Sequence, residues 1–297
     1  MKKNAPRTSI YLIVTFALAW VMQCVAAWCY HRGQTQAGQL IVAASMFAPL
    51  LGVLTARGSL KDMGWKPALK GNVSSWLAAW FGPAVLTLVG AVLYFAVFPS
   101  HFDLSGDYLR AAAGEAGEAA LQQLEAQGIT YPLYVLITSV SAMVYAPFLN
   151  ALFAVGEEAG WRGFLYPCLK EKFGRRAGLL LGGVIWSVWH WPLIWLIGYE
   201  YGTDYWGFPV VGMLLFCFFT VALGIFFDRL YEKTACIWLP ALAHGSINAV
   251  ATIPPVICAV ARPRGAALLG AAPNGLLAGL PLLTVGLVLL LRKKKEV

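Results

Sequence analysis

The sequence predicts an all-α fold, a polytopic membrane bundle of about eight transmembrane helices, and three observations carry that prediction. Of the 297 residues, 59% are hydrophobic and only 12% are charged, about half the charged share of an ordinary soluble domain. The apolar residues gather into long uninterrupted runs, and a bilayer about 30 Å thick asks about 20 such residues of a crossing helix. The segments between the runs alternate sharply in basic content. Together these features exclude a soluble globular enzyme.

The first run, Ile10 to Tyr30, follows a basic flank as a signal peptide does. Its apolar stretch is about 20 residues long and no small-x-small cleavage site follows, so it reads as an uncleaved anchor. Leu40 to Ala56 and Trp76 to Phe98 are the second and third spans. The long connection Pro99 to Tyr131 is acidic and Ala-rich, with Leu109, Ala113, Ala116, Ala120, Leu121 and Leu124 at helical spacing. That pattern predicts a short amphipathic helix on the external membrane surface. Leu133 to Val155, Gly178 to Gly198, Trp206 to Phe227, Cys236 to Cys258 and Pro273 to Leu291 complete the eight. None of these runs contains Asp, Glu, Lys or Arg. The chain reads as one integral membrane domain over 1–297, with a motif-bearing core at 133–253. No internal repeat is visible, which weakens a reading as an inverted-repeat transporter.

A net charge of +8 raises the question of nucleic acid, but the placement of the basic residues answers it. Eighteen fall on one side of the alternating topology: Lys2, Lys3 and Arg7, then Arg57, Lys61, Lys66 and Lys70, then Arg162, Lys170, Lys172, Arg175 and Arg176, then Arg229 and Lys233, then Arg292 to Lys295. The other side has four, Arg32, Arg110, Arg262 and Arg264. This asymmetry places the basic side, and with it both termini, in the cytoplasm. The charge is an orientation signal, and no nucleic-acid partner is expected. The six cysteines stand at unrelated spacings and read as small packing residues. The Lys-Glu-Val end carries no prenylation signal of its own.

In a chain so poor in charge, ionisable residues within the spans are the exceptions, because each is costly in a bilayer unless paired or solvated. Three segments hold nearly all of them: Gly156-Glu157-Glu158-Ala159-Gly160-Trp161-Arg162, Trp186-Ser187-Val188-Trp189-His190, and His244-Gly245-Ser246-Ile247-Asn248. On a helix, Glu158 and Arg162 stand four residues apart with the acid first, the favourable order for an ion pair. Glu157 lies about 100° round the helix without such a partner, which leaves it free for chemistry. Gly156 and Gly160 form a small-xxx-small pair that admits a close neighbour. Read alone, the first segment equally describes a solvated helix end, and a single buried His more often describes a hydrogen-bonded helix contact.

Depth brings the three together. His190 lies about 18 Å into its span, and His244 about 12 Å into its own with Asn248 one turn further on the same face. Both spans enter from the cytoplasm where the fourth span exits, so the motifs converge in the cytoplasmic half of the bilayer. Glu157 reaches that depth if the fourth span tilts or kinks, for which Pro147 offers a cause.

Glu157-Glu158-x-x-x-Arg162, the aromatic-x-x-x-His of Trp186 to His190, and His244-x-x-x-Asn248, in that order on eight spans, resemble the CPBP intramembrane proteases. These include the type II CaaX-prenyl endopeptidases and the bacterial Abi proteins linked to bacteriocin processing and immunity. The resemblance covers about Leu133 to Ile253 and departs at Trp186, where the family commonly has Phe. It implies hydrolysis of a peptide bond in a membrane-associated protein or peptide, of which a prenylated CaaX protein is one form, on the cytoplasmic side of the membrane; short loops and termini point to a prokaryotic cell membrane. Glu157 would act as general base, with His190 sharing the water and moving the proton to the leaving amine. His244 and Asn248 would stabilise the oxyanion, with Glu158, Arg162 and Trp186 in support. No cofactor is favoured. The alternative is zinc on Glu157, His190 and His244, a His2Glu set with an open fourth position. Two further readings are a transporter using the same residues as a proton relay, which predicts a polar stripe continuing to the external side, and a non-catalytic immunity or scaffold protein.

Overall fold

The computed structural model describes residues 8–292. Lys2, Lys3, Arg7 and Lys293 to Lys295, counted above for orientation, and the Lys-Glu-Val end lie outside them.

The uncharged runs form helices because a backbone in an apolar medium must satisfy its polar groups internally. In chain order they are α1 (Thr8–His31), α2 (Thr35–Ser45), α3 (Ala48–Thr55), α4 (Val73–Val97), α5 (Asp107–Ala113), α6 (Glu115–Ala126), α7 (Tyr131–Val144), α8 (Ala146–Gly160), α9 (Tyr166–Phe173), α10 (Arg175–Ile197), α11 (Val210–Thr234), α12 (Trp238–Val250), α13 (Ile253–Val256), α14 (Ala266–Leu269) and α15 (Leu280–Leu291). A π-helical turn, Trp161–Leu165, joins α8 to α9. Among the described residues the only strand-like pairing is one bridge between Phe102 and Cys258. The chain is an all-α, multi-pass membrane protein.

Helix α12 sits at the centre, packed along α8 and α4, and α10 packs on α11 and α9. The two ends of the bundle differ in charge. At one end Lys170 bridges Asp228 at 2.8 Å and Glu232 at 3.1 Å. There too Arg175 donates to the Leu289 and Leu290 carbonyls, and Lys233 to the Ser74 hydroxyl. At the other end the His31 ring meets the Leu196 carbonyl, the Tyr131 hydroxyl donates to the Val256 carbonyl, and the Gly265 amide to that of Asp204. Among the described residues Lys170, Arg175 and Lys233 thus stand at one end of the bundle, while Arg162, counted with them in the sequence, is buried in its interior.

Five stretches are long and apolar enough to cross a membrane: Thr8–His31, Thr35–Thr55, Val73–Val97, Arg175–Ile197 and Val210–Thr234. The other three expected spans fall on broken or shorter helices. The fourth is not one helix over Leu133 to Val155 but α7 and α8, parted at Tyr145 where Pro147 opens α8 without an N–H to give. Helical structure then runs on through the π turn to Phe173. In the seventh, Pro254 and Pro255 start the separate turn α13, and in the eighth only Leu280–Leu291 is helical. The sixth is displaced toward the basic end, reaching Thr234, because Asp228 and Glu232 find Lys170 there. The amphipathic pattern before Tyr131 forms two helices split at Gly114, α5 and α6, with Gly117 and Leu121 buried.

Candidate active site

The break at Tyr145 and the continuation beyond Gly160 decide where the first motif sits. Glu157 and Glu158 are in the interior of a helical run over 146–173, not at a helix end. Glu157 is 2% exposed, and Glu158 and Arg162 are 0%, which removes the reading as a solvated end. The pair of small residues works as the spacing implied. A Cβ on Gly156 would stand 2.9 Å from the Met46 carbonyl oxygen, and one on Gly160 would stand 2.8 Å from the Pro49 carbonyl carbon, so the α2–α3 break docks directly on this turn.

Glu158 and Arg162 form the expected ion pair at 3.0 Å. The guanidinium is surrounded by rings, its carbon 4.6 Å from the Trp186 centroid, 4.7 Å from Tyr166 and 5.1 Å from Phe227, an arrangement that offsets its loss of water by cation–π attraction. Glu158 also takes a hydrogen bond from His244, Nδ1 to Oε1 at 2.8 Å. A carboxylate at Nδ1 fixes the ring and turns Nε2 away from it.

Glu157 is not without partners. Its Oε2 accepts two indole N–H groups, Trp161 Nε1 at 2.9 Å and Trp186 Nε1 at 2.7 Å. Trp161 follows Glu157 by four residues, the same spacing that marks Glu158 and Arg162, so this donor was within reach of the sequence. The Trp186 donor comes from another helix, 29 residues on, and left no local signal. Trp186 also holds His190, whose Nδ1 lies 2.9 Å from the Trp186 carbonyl oxygen. A carbonyl only accepts, so Nδ1 carries a proton and donates it, which leaves Nε2 for other partners. The same indole ring stands edge-on to His244, centroids 5.3 Å apart.

Trp186, His190, His244 and Asn248 line one cavity of about 550 Å³. Glu157 and Glu158 lie behind that wall, bonded to Trp186 and His244. The lining continues through Phe216, Ile247, Thr252 and Val256 to Tyr108, Glu200 and Asn274, the last three contributed by segments that sequence reasoning did not connect to the site. Glu200 has a left-handed backbone, φ +70°, unusual for a side-chain-bearing residue, and its Oε2 accepts from Asn274 Nδ2 at 2.9 Å. Along α10, His190 stands 15 residues from Arg175 and seven from Ile197, about 22 Å and about 10 Å. It is deeper than the span boundary at Gly178 implied.

The zinc set of Glu157, His190 and His244 does not assemble. Among the described residues no three His, Cys, Asp or Glu side chains are grouped to hold a metal ion, while Nδ1 of both histidines is bonded to a protein oxygen, which leaves Nε2 of each. The arrangement offers two imidazoles and an amide on the cavity wall, with a carboxylate oriented by two N–H donors directly behind them.

The sequence model of the type II CAAX prenyl endopeptidase Rce1-like family matches residues 119–250. Over 49 residues the chain is 41% identical to CAAX prenyl protease 2 of Methanococcus maripaludis, a match that spans 16% of this chain and 18% of the relative. All seven residues of the three motifs fall within 119–250, on the helices that build the cavity wall and the layer behind it, so the likeness to the Rce1-like family covers the part of the chain that forms the site.

Proposed function

We propose that the chain is an intramembrane endopeptidase that hydrolyses a peptide bond of a membrane-associated protein or peptide, with the CaaX-type substrates in the relative's name as one class. The observation that carries this reading is the double role of Trp186, whose N–H holds Glu157 and whose carbonyl holds His190. Peptide hydrolysis needs an activated water, and a carboxylate and an imidazole held by one residue, the first through its indole N–H and the second through its backbone carbonyl, are suited to share it. Glu157 offers Oε1, since both indole bonds fall on Oε2, and His190 offers Nε2. The water adds to the scissile carbonyl carbon as its proton passes to this pair. The oxyanion takes hydrogen bonds from the Asn248 amide and from His244 Nε2, which donates when the ring is protonated on both nitrogens with Nδ1–H on Glu158. Such donors are most effective in a water-poor site. The tetrahedral intermediate collapses as His190 returns the proton to the departing amine, leaving a carboxylate and an amine.

No step uses a metal, and activity is expected to survive chelators. The transporter alternative predicts polar lining toward the external side, and Thr252, Asn274 and Glu200 do line the cavity beyond Asn248, so it is cleavage that separates the two readings. Glu157→Gln, His190→Ala and His244→Ala should each lower cleavage by at least about 100-fold while the protein stays folded in detergent. Comparison of membrane-fraction termini with wild type and Glu157→Gln reads this out. New termini that persist with Glu157→Gln would leave a binding or immunity role as the better reading.

A further inference from the structure

We infer that Glu200 forms a cation subsite within the cavity, one that takes a Lys or Arg side chain of the substrate within a few residues of the scissile bond. That the ligand is a peptide rests on the endopeptidase reading, but the charge it must carry rests on the cavity wall. Glu200 shares that wall with Trp186, His190, His244 and Asn248, and it is exposed.

The chain around Glu200 is fixed. Helix α10 ends at Ile197, and Gly198 turns it through the left-handed region, φ +65°, which glycine enters without steric cost. A Cβ on Gly198 would stand 2.6 Å from the Gly202 carbonyl carbon, so the turn that carries Glu200 is tightly closed. Tyr199, the residue before it, lays its ring parallel to that of His190, centroids 6.2 Å apart, which ties the turn to the proposed chemistry. Asn274 Nδ2 donates to Glu200 Oε2 at 2.9 Å. Asn274 is itself 4% exposed, and its backbone carbonyl accepts from the Tyr201 hydroxyl at 2.9 Å. The carboxylate is therefore held by a buried partner while remaining open to a ligand.

What it lacks is a counter-charge. The Tyr199 hydroxyl is within hydrogen-bonding reach, but a hydroxyl and an amide are neutral and fill at most two of the roughly four lone-pair sites of a carboxylate. No Lys or Arg lines the cavity. Among the described residues Arg110, Arg162, Lys170, Arg175 and Arg264 pair with other acids, and none pairs with Glu200. An exposed carboxylate keeps its charge through water, and a peptide that fills the cavity displaces that water. A substrate cation replaces it with a charge-assisted bond, and the rings of Tyr199 and Phe216, centroids 6.3 Å apart on the same wall, favour a cation further. A neutral side chain leaves the carboxylate desolvated and unpaired, and an acidic one adds repulsion. The order of preference is basic over neutral over acidic.

The test is binding, which needs no cleavage. Full-length Glu157→Gln in detergent is titrated with acetylated, amidated apolar hexapeptides that differ at one central position, Lys, norleucine or Glu, and affinity is read by thermophoresis. The Lys peptide is expected to bind at least about 10-fold more tightly than the norleucine peptide, with the Glu peptide weakest. Glu200→Gln keeps an oxygen for Asn274 and removes the charge, so in that background the Lys and norleucine affinities should converge, and Glu200→Lys should move the preference to the Glu peptide. Glu200→Asn, suited to a left-handed backbone, serves if Glu200→Gln does not fold. Equal affinities for the Lys and norleucine peptides, a preference that survives loss of the charge, or no binding of any of the three overturns the inference. The comparison of membrane-fraction termini tests cleavage separately. Its failure leaves a charge-dependent preference standing, and equal affinities leave the endopeptidase reading standing.

Discussion

Trp186 is the side chain on which the site turns, and it stands where the family commonly has Phe. A phenyl ring would keep the contacts with Arg162 and His244 but not the N–H that reaches Glu157 Oε2 at 2.7 Å. The backbone carbonyl that orients His190 is independent of the side chain, so Trp186→Phe is a clean removal of one donor from a carboxylate. A hydrogen bond to a charged group contributes about 1.5–3 kcal/mol, and kcat is expected to fall about 10- to 100-fold with KM little changed and thermal unfolding in detergent close to wild type. An equal rise in KM would show that the indole serves substrate binding instead. The residue scale is also where the sequence was most legible. The Glu158–Arg162 pair and the shared face of His244 and Asn248 followed from helical spacing. The coupling of His244 to Glu158, and of Glu157 to Trp186, crosses between helices 86 and 29 residues apart, and no periodicity within a helix encodes such a contact.

At the scale of elements, the run 146–173 is what sequence reasoning placed least well. Hydropathy ended the fourth span at Val155 because Glu157, Glu158 and Arg162 follow, yet those charges satisfy one another and two neighbouring helices, so the helix continues through them. The π turn at Trp161–Leu165 is of a kind often found at functional sites. What holds this run in place is the approach of α3 at Gly160, where a Cβ would collide with Pro49 and stand 2.8 Å from the Tyr11 hydroxyl. Gly160→Val is therefore expected to push α3 and α1 away from the Glu157 turn, at a cost of about 1–3 kcal/mol, the usual range for overpacking. A lowered unfolding temperature in detergent together with lost cleavage is the expected result. A Gly160→Val protein as stable and as active as wild type would mean that α1 and α3 do not brace the site.

For the whole molecule, composition and the apolar runs gave the class, which the structure returns as an all-α bundle, and the alternation of basic loops predicts which end faces the cytoplasm. They could not give the shape of the cavity, because Tyr108, Glu200 and Asn274 come from three separate connections that meet only in the folded chain. The number of crossings turns on 115–144, where α6 and α7 would together pass as a span but are bent by 96°. The charges decide against a crossing by α6. It carries Glu115, Glu118 and Glu125 within 12 residues, and Glu118 pairs with Arg110 of α5 at 2.8 Å, where both side chains remain about half exposed, so its ends should lie on one side of the membrane. Alkaline phosphatase, active only outside the cytoplasm, can be inserted at Gly114 and at Gly128, two turns with open space around them. Both insertions are expected to be active, and one at Gly71, among the basic residues after α3, silent. Activity at Gly114 without activity at Gly128 would mean that α6 crosses, and would carry Tyr131 and the start of α7 to the basic face, against the bond that ties Tyr131 to Val256 on the cavity wall.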